Sequence, residues 1–127
     1  MNVKTGIAET VGAYISRYNA GDVDGIVSLF ADDAVLEDPV GTPPKVGKLV
    51  IREFISDAVG YGVRLKGPES LLVVGDEAAF RFDVFSGPGA ARYSVEVIDI
   101  IRVNARGLIV SLRAYFNASD FAEAFGQ

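Results

Sequence analysis

Three oxygen-bearing side chains stand where apolar ones would be expected: Tyr14, Asp38 and Asp99. In the run Tyr93-Ser-Val-Glu-Val-Ile-Asp-Ile-Ile-Arg-Val103, strand parity puts Val95, Val97, Asp99, Ile101 and Val103 on one face. Asp99 is the polar member of that face. Burial disfavours the charged form of a carboxyl, so Asp99 is expected to stay protonated at neutral pH and to donate a hydrogen bond. A neutral acid donor suits chemistry in which negative charge develops on an oxygen. Tyr14 falls on the apolar stripe of a predicted helix and offers a phenol donor. Asp38 shares a predicted strand face with Leu36 and offers a base. Each has an ordinary explanation when taken singly. A tyrosine on an apolar stripe is usually a core residue with its hydroxyl at the rim, and an aspartate before proline usually starts a turn. Asp99 is the hardest to dismiss, because unpaired buried acids are rare. Together the three supply a base, a phenol donor and an acid donor, which suits proton transfer next to a carbonyl.

Composition narrows the alternatives. The 127-residue chain has no histidine and no cysteine. That excludes His bases, Cys nucleophiles, His/Cys zinc sites, disulfides and thiol redox chemistry. Acid–base work therefore falls to Asp, Glu, Tyr or Lys. The net charge of −5 argues against a nucleic-acid partner, which would need a basic patch. Met1 is followed by no basic segment leading into an apolar one, and no apolar run approaches the ~18 residues of a membrane helix. A cytoplasmic protein with no membrane partner is the expectation. Seventeen acids would permit carboxylate metal binding, but no ligand spacing is evident, so neither metal nor cofactor is expected.

The elements that must position these groups follow from periodicity. Residues near 5–20 read as a helix, with Ile7, Val11, Tyr14, Ile15 and Tyr18 on one stripe. Asn19-Ala-Gly21 closes it through a left-handed glycine. Asp22 is a plausible N-cap for a second helix to about Ala31, with Val23, Ile26, Val27 and Phe30 inward. A short strand over 34–38 ends at Pro39, and Gly41-Thr-Pro-Pro-Lys45 is a loop. A third helix runs from about Gly47 to Val59, with Val50, Phe54 and Ile55 on its buried side. Strands are predicted near 63–66, 69–74, 77–86, 92–103 and 108–117. Gly75-Asp76, Gly87-Pro-Gly-Ala-Ala91 and Asn104-Ala-Arg-Gly107 form the connectors. Helices first and antiparallel strands afterwards give an α+β fold. We expect one cone-shaped domain over 1–127, with three N-terminal helices on a strongly curved, mainly antiparallel sheet that encloses an apolar cavity. The remaining charges read as structural. Asp22, Asp24, Asp32 and Asp33 lie at helix ends, and Arg81, Arg92, Arg102 and Arg113 take the polar parity of their strands.

The stretch Tyr18-Asn-Ala-Gly-Asp-Val-Asp-Gly-Ile-Val-Ser-Leu-Phe-Ala-Asp-Asp-Ala-Val-Leu-Glu-Asp-Pro-Val-Gly41 resembles the bacterial 3-oxo-Δ5-steroid isomerases, or ketosteroid isomerases. So do Ile51-Arg-Glu-Phe54, Ile98-Asp99 and Leu112-Arg-Ala-Tyr-Phe116. The resemblance covers nearly the whole chain. That family is an established case of pKa tuning, with an Asp base and an oxyanion hole of Tyr and protonated Asp. The resemblance implies a nuclear transport factor 2-like fold and a homodimer packed through the sheets. It implies Asp38 as the base that moves a proton from C4 to C6 of a 3-oxo-Δ5-steroid. Tyr14 and Asp99 are implied as donors to the C3 oxygen, with no cofactor. Phe54, Phe82, Val84, Ile101 and Phe116 match positions that line the steroid pocket. Ile55 and Phe30 stand where family members can carry tyrosines, which implies that the tyrosine network behind Tyr14 is absent, and Tyr18 lies one helical turn away. Two other readings share the fold. One is a related enzyme, such as a polyketide cyclase or an epoxide hydrolase built on an acid–Arg–acid arrangement. The other is a protein that binds a steroid or other apolar ligand without chemistry. Asp99 and Arg102 do not supply the epoxide hydrolase arrangement, because strand parity points them to opposite sides.

Overall fold

The computed structural model describes residues 3–86 and 94–124. Helix α1 (Val3–Asn19) forms where the apolar stripe requires it, and Ile7, Val11, Tyr14, Ile15 and Tyr18 are all buried. Gly21 follows with a φ of 68°, the left-handed value that an L side chain resists. Asn19 does more than end the helix. Its Nδ2 donates to the Leu65 carbonyl at 2.7 Å, and the Leu65 amide donates to its Oδ1 at 2.7 Å. This two-bond fork fastens the C-terminal end of α1 to strand β3 (Val63–Val74).

Helix α2 (Val23–Val27) is capped by Asp22, whose side chain accepts from the Gly25 amide. It is shorter than the sequence pattern predicts. Strand β1 (Phe30–Glu37) begins at a residue that the periodicity assigns to the helix. The cause is a partner distant in sequence. Phe30 aligns in parallel with Ile109 of β6 (Ile109–Tyr115), and the Ile109 amide donates to the Leu29 carbonyl at 2.8 Å. Ile26, Val27 and Phe30 are buried in this arrangement, so the apolar pattern alone cannot separate helix from strand here.

Strand β2 (Lys45–Val46) pairs antiparallel with β1, Leu36 opposite Lys45. It leads into α3 (Lys48–Gly60). The inner side of α3 is carried by Ile51 and Ile55, with Phe54 packed against the core. Val50, expected inside, is 44% exposed. Strands β3, β4 (Glu77–Ser86), β5 (Val95–Val103) and β6 follow. The two strands predicted over 63–74 are one strand, interrupted by a register shift between Lys66 and Ser70 at Gly67-Pro68. The predicted connector Gly87–Ala91, Arg92 and the first residues of the predicted 92–103 strand lie outside the described residues. A short helix, α4 (Ala118–Ala124), was not expected.

The six strands form one mixed sheet in the order β2-β1-β6-β5-β4-β3. Every pair is antiparallel except β1–β6. The sheet is curved and unclosed, and α1 and α3 pack on it. Its buried parity meets their apolar stripes in one core. The expected α+β cone is thus the observed architecture, with one parallel pair in the sheet.

Candidate active site

Strand β5 alternates as its sequence demands. Val95, Val97, Asp99, Ile101 and Val103 are buried, and Asp99 is only 1% exposed. Among the described residues, Asp99 Oδ1 is the buried side-chain oxygen with no hydrogen-bond partner. Burial pushes its pKa well above the ordinary carboxylate value, and the negative charge of Asp38 raises it further. Burial thus favours the neutral form of Asp99, which can donate.

The sheet register brings Tyr14 to Asp99. Phe80 on β4 lies opposite Asp99, and the Phe80 ring meets Tyr14 edge-on with centroids 6.4 Å apart. Tyr14 is 7% exposed, and its pKa is raised by burial first, then by Tyr18, Asp99 and Asp38. The phenol therefore stays protonated. Phe80 also stacks on Phe82 at 5.6 Å, so the predicted pocket residue Phe82 continues this aromatic wall.

Asp38 arrives from the other side of β6. It follows the last residue of β1, where Glu37 aligns with Arg113. The Asp38–Pro39 peptide is cis. Just beyond it, the Val40 amide donates to the Ala114 carbonyl at 2.8 Å. Ala114 is in turn the residue opposite Asp99 in the β5–β6 ladder. One residue of β6 thus ties the Asp38 turn to the strand position of Asp99. Asp38 is half-buried. Burial pushes its pKa up to about 7, and Lys45 pulls it down. Glu37 instead forms an ion pair with Arg113 at 3.4 Å, as its opposite parity requires.

The residues predicted to line a pocket lie in or against the core. Phe82, Val84 and Ile101 belong to the buried core that contains Tyr14, and Phe54 and Phe116 pack against it. A cavity of about 590 Å³ opens near the C-terminal end of β6. It is lined by Val40, Val95, Tyr115, Phe116 and residues from the start of α4. It includes Phe116 but none of Tyr14, Asp38 and Asp99. Ile55 and Phe30 are buried apolar residues and bring no hydroxyl to Tyr14. What meets Tyr14 is the ring of Tyr18, edge-on at 5.4 Å. Three features escaped sequence reasoning. They are the Asn19 fork, the seat of Lys45 over Phe54 at 4.6 Å, and the Phe121 ring against Phe116 at 5.9 Å. No periodicity marks them, since each joins elements distant in sequence or turns on a single side chain.

The arrangement can hold one carboxylate near its titration point and two neutral donors in one apolar site. Among the described residues, no cluster of acids has the makings of a metal site, and no helix is long and apolar enough to cross a membrane.

Comparison with known proteins finds relatives in sequence and in fold. Residues 11–112 match the model of the SnoaL-like domain. The steroid Δ-isomerase of Nocardioides simplex is 36% identical over 116 residues, covering 90% of this chain and 92% of that protein. The epoxide hydrolase LasB of Streptomyces lasalocidi is 32% identical over 125 residues, covering 94% of this chain but 44% of that longer protein. The solved structure of SalBIII superimposes with a TM-score of 0.81 at 28% identity, covering 92% of this chain and 95% of the other. SalBIII is described as an epoxide hydrolase/cyclase-like enzyme in pyran ring formation in polyether salinomycin. The fold, the match over most of the chain and the likeness to enzymes of both kinds lead to one conclusion: the chain belongs to the SnoaL-like domain family of the nuclear transport factor 2-like superfamily.

Proposed function

We propose that the protein is a steroid Δ-isomerase that converts 3-oxo-Δ5-steroids to 3-oxo-Δ4-steroids without a cofactor. The observation that carries this reading is Asp99, a neutral acid in an apolar site with an unpartnered oxygen. A buried polar atom without a partner costs about 1–3 kcal/mol. That cost has a purpose if the partner is the oxygen of a bound substrate.

In the proposed reaction the Asp38 carboxylate removes the C4 proton. The C4–H electrons form the C3–C4 double bond, and the carbonyl electrons move onto the C3 oxygen. Tyr14 and Asp99 donate hydrogen bonds to that oxygen as its charge develops. Protonated Asp38 then returns the same proton to C6. The C5–C6 double bond becomes C4–C5, and the carbonyl reforms. Phe54, Phe82, Val84, Ile101 and Phe116 supply the apolar walls that such a substrate requires. A base with a pKa of about 7 is well matched to accepting and returning a proton at neutral pH.

The test is the ultraviolet absorbance of 5-androstene-3,17-dione mixed with the protein. Growth of the conjugated enone band is the expected result. A folded protein that binds the steroid but leaves the band unchanged would reduce the function to ligand binding. A second reading, acid-assisted epoxide opening, draws on the likeness to LasB and on the two acids of the site. Consumption of an epoxide probe, with no enone formed from the steroid, would favour it. We also propose a homodimer through the outer sheet face, where Leu72, Val74, Ile98 and Tyr115 are exposed. Sedimentation at twice the monomer mass is the expected result.

A further inference from the structure

Asp38 and Asp99 pose a problem of assignment. Both are carboxyls drawn into one apolar site, and burial raises the pKa of each. The proposed chemistry needs one ionised and the other neutral. Two like charges in one site discourage joint ionisation, but repulsion alone does not say which acid keeps its proton. Something must break the symmetry.

The groups whose fields link them to Asp38 come from three elements. Tyr14 and Tyr18 approach from α1 and Asp99 from β5, and all three are neutral or negative. Lys45 approaches from β2 and is the cation of the set. The nearby Arg113 is engaged with Glu37 at 3.4 Å and with the Tyr115 hydroxyl at 2.7 Å. Lys45 is also held in place. The β1–β2 ladder sets it opposite Leu36, two residues before Asp38. Its side chain is half-buried, and its ammonium sits 4.6 Å from the centre of the Phe54 ring. A cation over an aromatic face is attracted by the ring quadrupole, so the charge has a fixed seat. Phe54 is itself packed against the core. Among the described residues, no cation acts on Asp99.

We propose that Lys45 is a positioning residue that decides which acid is the base: seated over Phe54, its ammonium favours the carboxylate on Asp38 and leaves Asp99 as the neutral donor. This rests on the reading of Asp38 as the base. The direction of the perturbation agrees, since Lys45 opposes the upward push of burial on Asp38. The ammonium acts through partly screened space, so the effect should be modest.

The experiment compares wild type, Lys45→Met and Lys45→Arg. The Asp38 carboxyl carbon is titrated by NMR in the ligand-free protein, with Asp38→Asn to assign the resonance. The pH profile of kcat/KM for the steroid is measured in parallel. Lys45→Met should move the Asp38 midpoint upward. It should lower kcat/KM about two- to tenfold near pH 6 and recover towards wild type near pH 9. Lys45→Arg should stay within about twofold throughout. An unmoved midpoint in Lys45→Met, or a loss that is the same at every pH, would overturn the proposal. The titration needs no turnover. If wild type failed to isomerise steroids, the proposed function would fall while the midpoint still decided the role of Lys45.

Discussion

Asp38 and Asp99 are the same functional group in two settings, and the settings decide what each can do. Asp38 is half-buried, faces a cation and titrates at about 7. Asp99 is enclosed, and burial favours its protonated form. Asp38→Asn should preserve steroid binding and lower turnover by ~10²–10⁴-fold, the usual worth of a positioned base. In wild type, kcat/KM should rise as pH passes upward through about 7 and then hold. The values of Tyr14 and Asp99 are both raised by burial, which favours the protonated form of each. A flat profile from pH 5 to 9 would remove Asp38 from the base role. Tyr14→Phe and Asp99→Leu should each cost roughly 10²–10³-fold in turnover, as for the loss of one oxyanion donor. Asp99→Asn should be milder, because an amide still donates; equal damage from Asn and Leu would deny Asp99 that function. At this scale much was legible. Strand parity alone exposes Asp99, since an acid in an apolar row has few innocent explanations. Lys45 was not legible. A lysine in a Gly-Thr-Pro-Pro-Lys loop carries no periodic signal, and its meaning appears only when its seat over Phe54 and its field at Asp38 are taken together.

Elements bring these residues together, and one joint between elements is narrow. Helix α1 carries Tyr14, and its C-terminal end is fixed to β3 by the two 2.7 Å bonds of Asn19. Asn19→Ala leaves the Leu65 amide and carbonyl to find other partners, which should cost about 1–3 kcal/mol of stability. It should also let α1 shift against the sheet, moving the Tyr14 hydroxyl relative to Asp99. Turnover should fall several-fold with little change in the pH midpoint, because Asp38 is held by β1 and β6. Equilibrium denaturation and the pH–rate profile check both parts, and wild-type turnover in a destabilised variant would show that α1 does not aim Tyr14 through this joint. The sequence announced α1, α3 and β4 through clear periods of 3.6 and 2. It misplaced the end of α2 because Ile26, Val27 and Phe30 are buried whichever element contains Phe30. The deciding partner, Ile109, lies far along the chain. Local pattern cannot report a parallel pairing between the first strand and the last. For the same reason the bridge from Val40 through Ala114 to Asp99 could not be foreseen, although all three residues were in view.

For the molecule as a whole, the site is a cost to stability, and pH should expose it. The folded values of Asp38 and Asp99 both lie above the ordinary carboxylate value. Below about pH 4 both acids are protonated in folded and unfolded chains alike, so neither opposes folding. As pH rises from there, the unfolded chain releases these protons while the folded chain keeps them. The unfolded state then binds fewer protons, and stability falls with rising pH. For Asp38 the fall is complete once pH has passed about 7; for Asp99 it continues higher. Water reaches the half-buried Asp38, so its share should be on the order of 2 kcal/mol at pH 8. Asp38→Asn should therefore be more stable than wild type at pH 8, and the difference should shrink towards pH 4. Asp99→Leu removes the unpartnered Oδ1 and replaces it with an apolar group among Val97, Ile101 and Phe80. It should gain about 1–3 kcal/mol near neutral pH while losing most turnover. Chemical denaturation across pH 4–8 measures both variants against wild type. If Asp99→Leu were no more stable than wild type, its oxygen would already be well satisfied in the folded protein. The neutral acid would then not be held in readiness for a ligand. If it is more stable and nearly inactive, the strain of burying Asp99 is the cost of having a donor fixed in place before charge forms on the substrate oxygen.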